Sequence, residues 1–121
     1  PEELYDCAVA SMCFHHFEND RIVEIVRRLR GFVKGNVLIN DLCRSPSAYL
    51  GAMVFSAFSH AGVRHDALQS VRRGFRSRDF DEIGARLDGV SISVYPAWLF
   101  RICAVIGFGG YEESCEYRGM K

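Results

Sequence analysis

Apolar positions recur along the chain with two spacings, one typical of buried strands and one typical of one-sided helices. Residues 4–10 (LYDCAVA) and 37–39 (VLI) are short apolar runs, which predicts strands that are buried on both faces. Between them, an apolar residue recurs every three or four positions from Ile22 to Leu29, the pattern of a helix with one buried face. Two strands connected through a helix run parallel, so this part of the chain predicts a β-α-β unit.

Polar residues and glycine predict where these elements begin and end. Either Asn19 or Asp20 can cap the first helix, and Gly31 is expected to end it. Residues 33–36 (VKGN) predict a turn before the second strand, which is expected to end at residues 40–41.

A second helix and a loop are predicted next. Ser45 followed by Pro46 is a strong signal for a helix start. The helix that follows, to about Ser59, is apolar on most of its circumference, as expected of a helix that is buried, covers a ligand or meets another chain. Residues 60–74 lack a clean period and contain two glycines, so we expect a long loop with at most one turn of helix there.

The last part of the sequence, from Ser77 onward, predicts a helix and a hairpin. Ser77 is expected to cap a helix that Asp88 and Gly89 end. Residues 90–95 and 99–106 then predict two strands whose short connection makes them antiparallel. The whole order predicts an α/β fold with a mostly parallel sheet and one antiparallel strand near its edge.

Composition narrows the functional classes. The 121 residues allow one small domain, and 15 basic residues balance 15 acidic ones, so no net field favours nucleic acid. No apolar run approaches the roughly 20 residues needed to span a bilayer. The five cysteines are odd in number and form no C-x-x-C pair, which indicates free thiols in a reducing, cytoplasmic location.

Several strings resemble class I S-adenosylmethionine-dependent methyltransferases of the small-molecule type. Residues 5–17 (YDCAVASMCFHHF) resemble the fourth strand of that family and its loop, which typically carries a hydrophobic-His-His-Phe string. Residues 31–42 (GFVKGNVLINDL) resemble the fifth strand with its preceding turn, and residues 75–87 resemble the helix before the terminal hairpin. The resemblance covers about residues 4–107 and implies strands 4, 5, 6 and 7 of a Rossmann-like sheet flanked by helices, with strand 7 antiparallel. Residues 1–107 would form a partial methyltransferase domain and residues 108–121 a tail.

The family's first strand, its glycine-rich loop and the acidic residue that ends its second strand have no counterpart in the sequence. Residues 107–110 (GFGG) are no substitute, because no convincing helix follows them. The chain starts with Pro1, and the resemblance implies the C-terminal half of a domain whose other half carries most of the cofactor site. We therefore expect the isolated chain to bind S-adenosylmethionine weakly and to be inactive.

The resemblance also implies a cofactor side and a catalytic side. Ala10, Ser11 and Met12, at the carboxyl end of the first strand, would line the methionine part of S-adenosylmethionine. His15 follows on the same loop and could take a proton from the acceptor, because an unperturbed imidazole titrates near neutrality. His65 in the predicted loop is a second candidate base. For each, a purely structural role is the alternative.

Four further residues are candidates for substrate binding: His16, Asp41, Arg64 and Arg72. Asp41 ends the second strand at the crevice side, and Arg64 could lower the pKa of a phenol or carboxylate acceptor. The string Cys13-x-His15-His16 lacks the further ligands of a closed zinc site, so no metal is predicted.

These residues predict methyl transfer from S-adenosylmethionine to a small-molecule acceptor, and the apolar second helix favours an aromatic or lipid-like one. The alternative is a non-catalytic fragment that serves as an interaction or dimerisation module, through the apolar helix or the open edge of the first strand. The partners expected are a small-molecule methyl acceptor and either a second copy of the chain or the missing N-terminal half.

Overall fold

The computed structural model describes residues 4–109, which contain four strands and four α-helices. The elements are, in order, β1 (Tyr5–Ser11), α1 (Asn19–Leu29), β2 (Val33–Leu42), α2 (Pro46–Phe55), α3 (Ala61–Arg72), α4 (Ser77–Ala85), β3 (Ser91–Ala97) and β4 (Arg101–Gly107). A 3₁₀ turn, Phe14–His16, lies between β1 and α1.

The strands form one sheet in the order β1-β2-β4-β3. The pair β1 and β2 is parallel, whereas β4 is antiparallel to both of its neighbours, β2 and β3. The predicted β-α-β unit and the terminal hairpin are therefore present. Because β1 has a partner on one side only, its other edge carries unpaired backbone groups within the described part of the chain.

The core lies between one face of this sheet and the helices α1 and α4. Inward-facing residues of β2 and β4 alternate along each strand, as the two-residue period of a strand requires. They meet the apolar stripe of α1 and the buried face of α4, and the fully buried members are Ile22, Val23, Val26, Val37, Ile39, Phe80, Ile83, Ala104 and Ile106.

The opposite face of the sheet is much more open. Val9 on β1 is 68% exposed, and its lateral neighbours across the sheet are Leu38 on β2 and then Val105 on β4, both half-buried. The sequence predicted strands buried on both faces, and within residues 4–109 this expectation fails because α1 and α4 cover only one face.

Two stretches predicted as irregular are regular. Residues 33–36 belong to β2, since Val33 and Asn36 pair with β1, and this pairing outweighs their local turn propensity. Residues 60–74 contain the helix α3, which packs against α2. The prediction of a long loop was therefore wrong, because tertiary packing supports a helix without a clean apolar period.

The helix starts also differ from those predicted. Glu18 occupies the N-cap position of α1, and no side chain caps it. At α4 the N-cap position is Arg76, and the Asp79 carboxylate accepts its backbone N–H at 2.7 Å. Ser45 does cap α2, accepting the Ala48 N–H at 3.1 Å.

The chain continues past β4 into the core. Phe108, the first residue of the predicted tail, is buried, and its N–H donates to the Gly35 carbonyl at 3.1 Å. Gly110 and Cys115, which entered the sequence interpretation, lie outside the described residues. The four described cysteines, Cys7, Cys13, Cys43 and Cys103, are unpaired.

Candidate active site

The loop after β1 brings two histidines to the carboxyl end of the parallel strand pair. Met12 has φ 55°, in the left-handed region that disfavours a side chain, and this residue turns the chain away from the strand. Its N–H donates to the Asn40 carbonyl of β2 at 2.9 Å, so the turn stays attached to the sheet. The 3₁₀ turn that follows carries His15 and His16.

The Asp41 carboxylate fastens this loop to the end of β2. Its Oδ2 accepts the backbone N–H groups of Phe14 at 2.9 Å and His15 at 3.2 Å. Its Oδ1 accepts its neighbour Leu42's N–H at 2.8 Å and lies 2.6 Å from His15 Nδ1. Asp41 is 1% exposed, so these contacts replace its hydration. The sequence interpretation placed Asp41 against the substrate, whereas the structure places its carboxylate inside the protein, where it orients His15.

This pairing defines the chemistry available at His15. A carboxylate only accepts hydrogen bonds, so this contact favours the tautomer with the proton on His15 Nδ1, which leaves a lone pair on Nε2 of the neutral ring. Within residues 4–109, Nε2 has no hydrogen-bond partner, and the ring borders a cleft. The His16 ring lies 4.0 Å from the His15 ring, centroid to centroid, on the more exposed side. The arrangement allows His15 to accept a proton at Nε2 while Asp41 stabilises the resulting cation.

The cleft has a volume of about 570 Å³, within the size range of small-molecule sites. Its charged and titratable lining residues are His15, His16, Glu18, Arg44, Arg73 and Asp79.

Backbone pairing brings the two arginines together. Residues 43 and 75 form a parallel bridge, in which the Phe75 N–H donates to the Leu42 carbonyl and the Arg44 N–H donates to the Phe75 carbonyl, both at 2.8 Å. The segment after α3 thus extends the end of β2 by one strand-like contact. Because Arg44 and Arg73 each adjoin this bridge, both reach the same cleft.

Charges in the cleft are unevenly paired. Arg44 Nη2 lies 3.3 Å from Asp79 Oδ2, while the buried Arg44 Nε has no acceptor in residues 4–109. Arg73 makes no side-chain hydrogen bond or ion pair in the same residues. Behind the loop, burial and, secondarily, the negative charge of Asp41 raise the pKa of the Cys13 thiol.

The three predicted cofactor residues differ in their surroundings. Ala10 packs against the core, whereas Ser11 is exposed and Met12 is half-buried. Ser11 pairs in register with Asn40, whose Oδ1 is buried and has no donor in the described residues. This amide oxygen is a hydrogen-bond acceptor without a donor, and its position beside Ser11 fits a ligand that carries an N–H or O–H group.

The structure does not bring the residues of α3 into this cleft. Arg64 and His65 lie on the exposed first turns of α3, and neither lines the cleft. Arg72 donates to the Tyr49 hydroxyl at 3.2 Å, and its guanidinium lies 5.3 Å from the centre of the Tyr49 ring. Arg72 thus connects α3 to α2. His65 and Arg64 were grouped with the site because residues 60–74 were taken for a loop.

The sequence interpretation did not select Arg44 or Arg73. Arg44 lies two residues after the last residue of β2, near the end of the sheet where a crevice is expected. Arg73 carries no such signal, since only the bridge between residues 43 and 75 brings it there. Among the described residues, no group of three or more His, Cys, Asp and Glu side chains is placed to hold a metal ion.

No described helix is both long and apolar enough to cross a membrane. No protein-family model matches the sequence, and no curated protein matches it by sequence.

Several solved structures of similar fold are methyltransferases. The plantazolicin methyltransferase BpumL, in complex with a triazolic desmethylPZN analog and SAH, superposes with a TM-score of 0.70 at 11% identity, over 89% of this chain and 54% of that chain. A protein described as an O-methyltransferase of Nostoc punctiforme gives 0.59 at 10% identity, over 88% of this chain and 32% of that one. The magnesium protoporphyrin IX methyltransferase of Synechocystis, with bound SAH, gives 0.52 at 10% identity, over 88% and 46%.

The chain therefore shares the fold of class I S-adenosylmethionine-dependent methyltransferases. It spans about half the length of these structures or less.

Proposed function

We propose that this chain forms the acceptor side of an S-adenosylmethionine-dependent methyltransferase that acts on a small molecule. The observation that carries the proposal is the buried Asp41–His15 pair, which opens on a cleft at the carboxyl end of two parallel strands. Open α/β sheets bind ligands at that end. The likeness to methyltransferase structures supports the reaction class. In that assignment, β1, β2, β3 and β4 correspond to strands 4, 5, 6 and 7 of the family, and the order β1-β2-β4-β3 with β4 antiparallel supports this numbering.

The residues that would hold S-adenosylmethionine are Ser11 and Met12, together with the unpartnered Asn40 Oδ1. When bound, the cofactor supplies a methyl group activated by its sulfonium. Ala10 contributes to the floor of this position through its core contacts. These residues make only part of a cofactor site, so we expect the isolated chain to bind S-adenosylmethionine weakly and to transfer no methyl group.

The described side chains would act on the acceptor. His15 Nε2 takes the proton of the acceptor nucleophile, and Asp41 holds the ring in the tautomer that leaves Nε2 free. His16 borders the same cleft and packs against the acceptor. Burial of Asp41 keeps water from competing for the contact between its carboxylate and His15 Nδ1. His65, Arg64 and Arg72 stay candidates only if α3 moves toward the cleft.

The test uses a complete methyltransferase domain, in which the proposal joins this chain to the half that carries the glycine-rich loop. Its purified form is incubated with methyl-labelled S-adenosylmethionine and a pool of small aromatic and lipid-like hydroxyl compounds, and transfer is measured for wild type, His15→Gln and His65→Ala. We expect His15→Gln to lower kcat by about 100-fold or more, the usual contribution of a general base. We expect His65→Ala to leave kcat within about two-fold, because His65 lies outside the cleft. Absence of transfer to any compound contradicts the proposal, and equal losses in both variants remove His15 from the mechanism.

Binding of the cofactor to the isolated chain is measured separately by calorimetry. Micromolar binding of S-adenosylmethionine by residues 1–121 alone would contradict the partial-site argument. Cytoplasmic location stays a prediction from the unpaired cysteines.

A second candidate function is a non-catalytic interaction or dimerisation module. The exposed apolar side chains of the α2 end favour it, since Phe55 is 80% and Phe58 101% exposed. Analytical ultracentrifugation of the wild type and of Phe58→Asp decides this: a dimer that the substitution dissociates supports the module, and a monomer at all concentrations rejects it.

A further inference from the structure

We propose that the cleft beside His15 is a binding site for an oxyanion, a carboxylate or phosphate group carried by the acceptor. That the anion belongs to a methyl acceptor rests on the proposed function. The binding of the anion itself depends only on Arg44 and Arg73. Neither arginine was selected from the sequence, and they face the same cleft as the candidate base.

Hydrogen-bond donors without acceptors carry the first step of the argument. Arg44 Nε is buried and has no acceptor in residues 4–109, although its Nη2 contacts Asp79. A buried guanidinium N–H without an acceptor is unfavourable, and a small rotation of the Arg44 side chain toward an anion in the cleft would remove the penalty. The planar guanidinium offers parallel N–H donors that match the two oxygens of a carboxylate or phosphate.

The second step concerns charge. Arg44 and Arg73 lie within two residues of the bridge between residues 43 and 75 and both line the cleft, and like charges in one cleft repel each other. Asp79 offsets one of them, but Asp79 Oδ2 also accepts the Arg76 backbone N–H. Arg73 has no ion-pair partner in the described chain. A bound anion would supply the missing negative charge.

Few groups that line the cleft would repel an anion. Glu18 lines the cleft and is exposed to solvent, which screens its charge. His15 and His16 line the same cleft and can donate when protonated. An acceptor whose anionic group binds the arginines would therefore lie in the same cleft as the His15 ring. The substrate class that fits is a small molecule with a carboxylate or phosphate near the methylated atom.

The experiment titrates the 121-residue chain, labelled with nitrogen-15, with sodium benzoate or sodium phosphate at constant ionic strength. The signals followed are the Nε–Hε cross-peaks of the arginines and the backbone amides of residues 15, 16 and 74. We expect saturable shifts at Arg44 and Arg73 with at least one of the two anions. If only benzoate saturates the shifts, the site binds carboxylates, and if only phosphate does, it binds phosphates. If both anions saturate the shifts, the site binds oxyanions in general.

Three variants sharpen the test. Arg73→Gln is expected to raise Kd about ten-fold, equivalent to about 1.4 kcal/mol. Arg44→Lys keeps the charge but loses the Nε donor, and we expect a smaller rise in Kd, of about three-fold. Arg78→Gln is the matched control, because Arg78 is exposed on α4 and does not line the cleft, and its Kd should stay within about two-fold of the wild type.

Two results would overturn the inference. One is the absence of saturable shifts with both anions up to about 50 mM, which leaves no specific site. The other is an equal loss of affinity in Arg78→Gln and Arg73→Gln, which indicates attraction by net charge alone. Because the titration contains no S-adenosylmethionine, its outcome is independent of methyl transfer. Transfer without anion binding would refute only this inference, and anion binding without transfer would refute only the proposed reaction.

Discussion

Replacing Asp41 by asparagine tests the central geometric claim, that one buried carboxylate orients His15 and fastens its loop. The substitution keeps the size of the side chain but exchanges one acceptor oxygen for an NH₂ group. Asp41 now receives N–H groups from Phe14, His15 and Leu42 as well as His15 Nδ1–H. In the best arrangement for asparagine, its oxygen keeps the Phe14 and His15 amides while its NH₂ group faces the other two donors.

Two consequences follow from that arrangement. His15 can adapt by moving its proton to Nε2, so that Nδ1 accepts from the new NH₂ group. The Leu42 N–H cannot adapt and loses its acceptor, and the remaining bonds lose the strengthening that a charged acceptor provides. An unpaired buried donor costs about 1–3 kcal/mol, so the expected loss of unfolding free energy is about 2–3 kcal/mol. For a chain of this size, that loss corresponds to a fall in Tm of about 10 °C.

The assay is urea and thermal unfolding followed by circular dichroism, with Asp81→Asn as the control. Asp81 is exposed on α4 and makes no hydrogen bond in the described structure, so the same chemical change should alter stability by less than about 0.5 kcal/mol. The ring nitrogen shifts of His15 report the tautomer directly. If Asp41→Asn unfolds like the control, or if His15 keeps its proton on Nδ1, then the carboxylate does not hold the loop as described.

Other predictions concern the bridge segment and the cysteines. Gly74→Ala should lower the unfolding free energy by about 1–3 kcal/mol, because a Cβ there would lie 2.7 Å from the Leu42 carbonyl oxygen. Gly62→Ala should raise the unfolding free energy by about 0.5–1 kcal/mol, because a Cβ there meets nothing within 4 Å and alanine favours the helix α3. Both substitutions are measured by denaturant titration, and equal effects would contradict this packing. Iodoacetamide at pH 8 should modify exposed Cys7 well before Cys13, since the raised pKa of the Cys13 thiol keeps it protonated over a wider pH range; faster labelling of Cys13 in mass spectrometry would refute this.

Local patterns in the sequence were enough to predict most elements of the fold. The apolar stripe from Ile22 to Leu29 produced α1, because its spacing matches the helical repeat and few other packings could bury it. The strand-turn-strand pattern from residue 90 onward produced the antiparallel pair β3 and β4 for a similarly local reason. His15 was also selected from the sequence, and the structure places it at the carboxyl end of the sheet.

Long-range contacts decided the features of the fold and the site that these local patterns did not predict. Residues 33–36 lie in β2 because β1 pairs with them, and residues 61–72 form α3 because α2 packs against them. The role of Asp41 depends on donors more than 25 positions away along the chain, which no local periodicity encodes. Arg73 reaches the cleft only through the bridge at residue 75. The sequence by itself thus determined which segments are helices or strands wherever the pattern of one buried face was enough to specify the element. Tertiary pairing decided which side chains meet in the cleft, because hydrogen bonds and charges act between atoms that only the folded chain brings together.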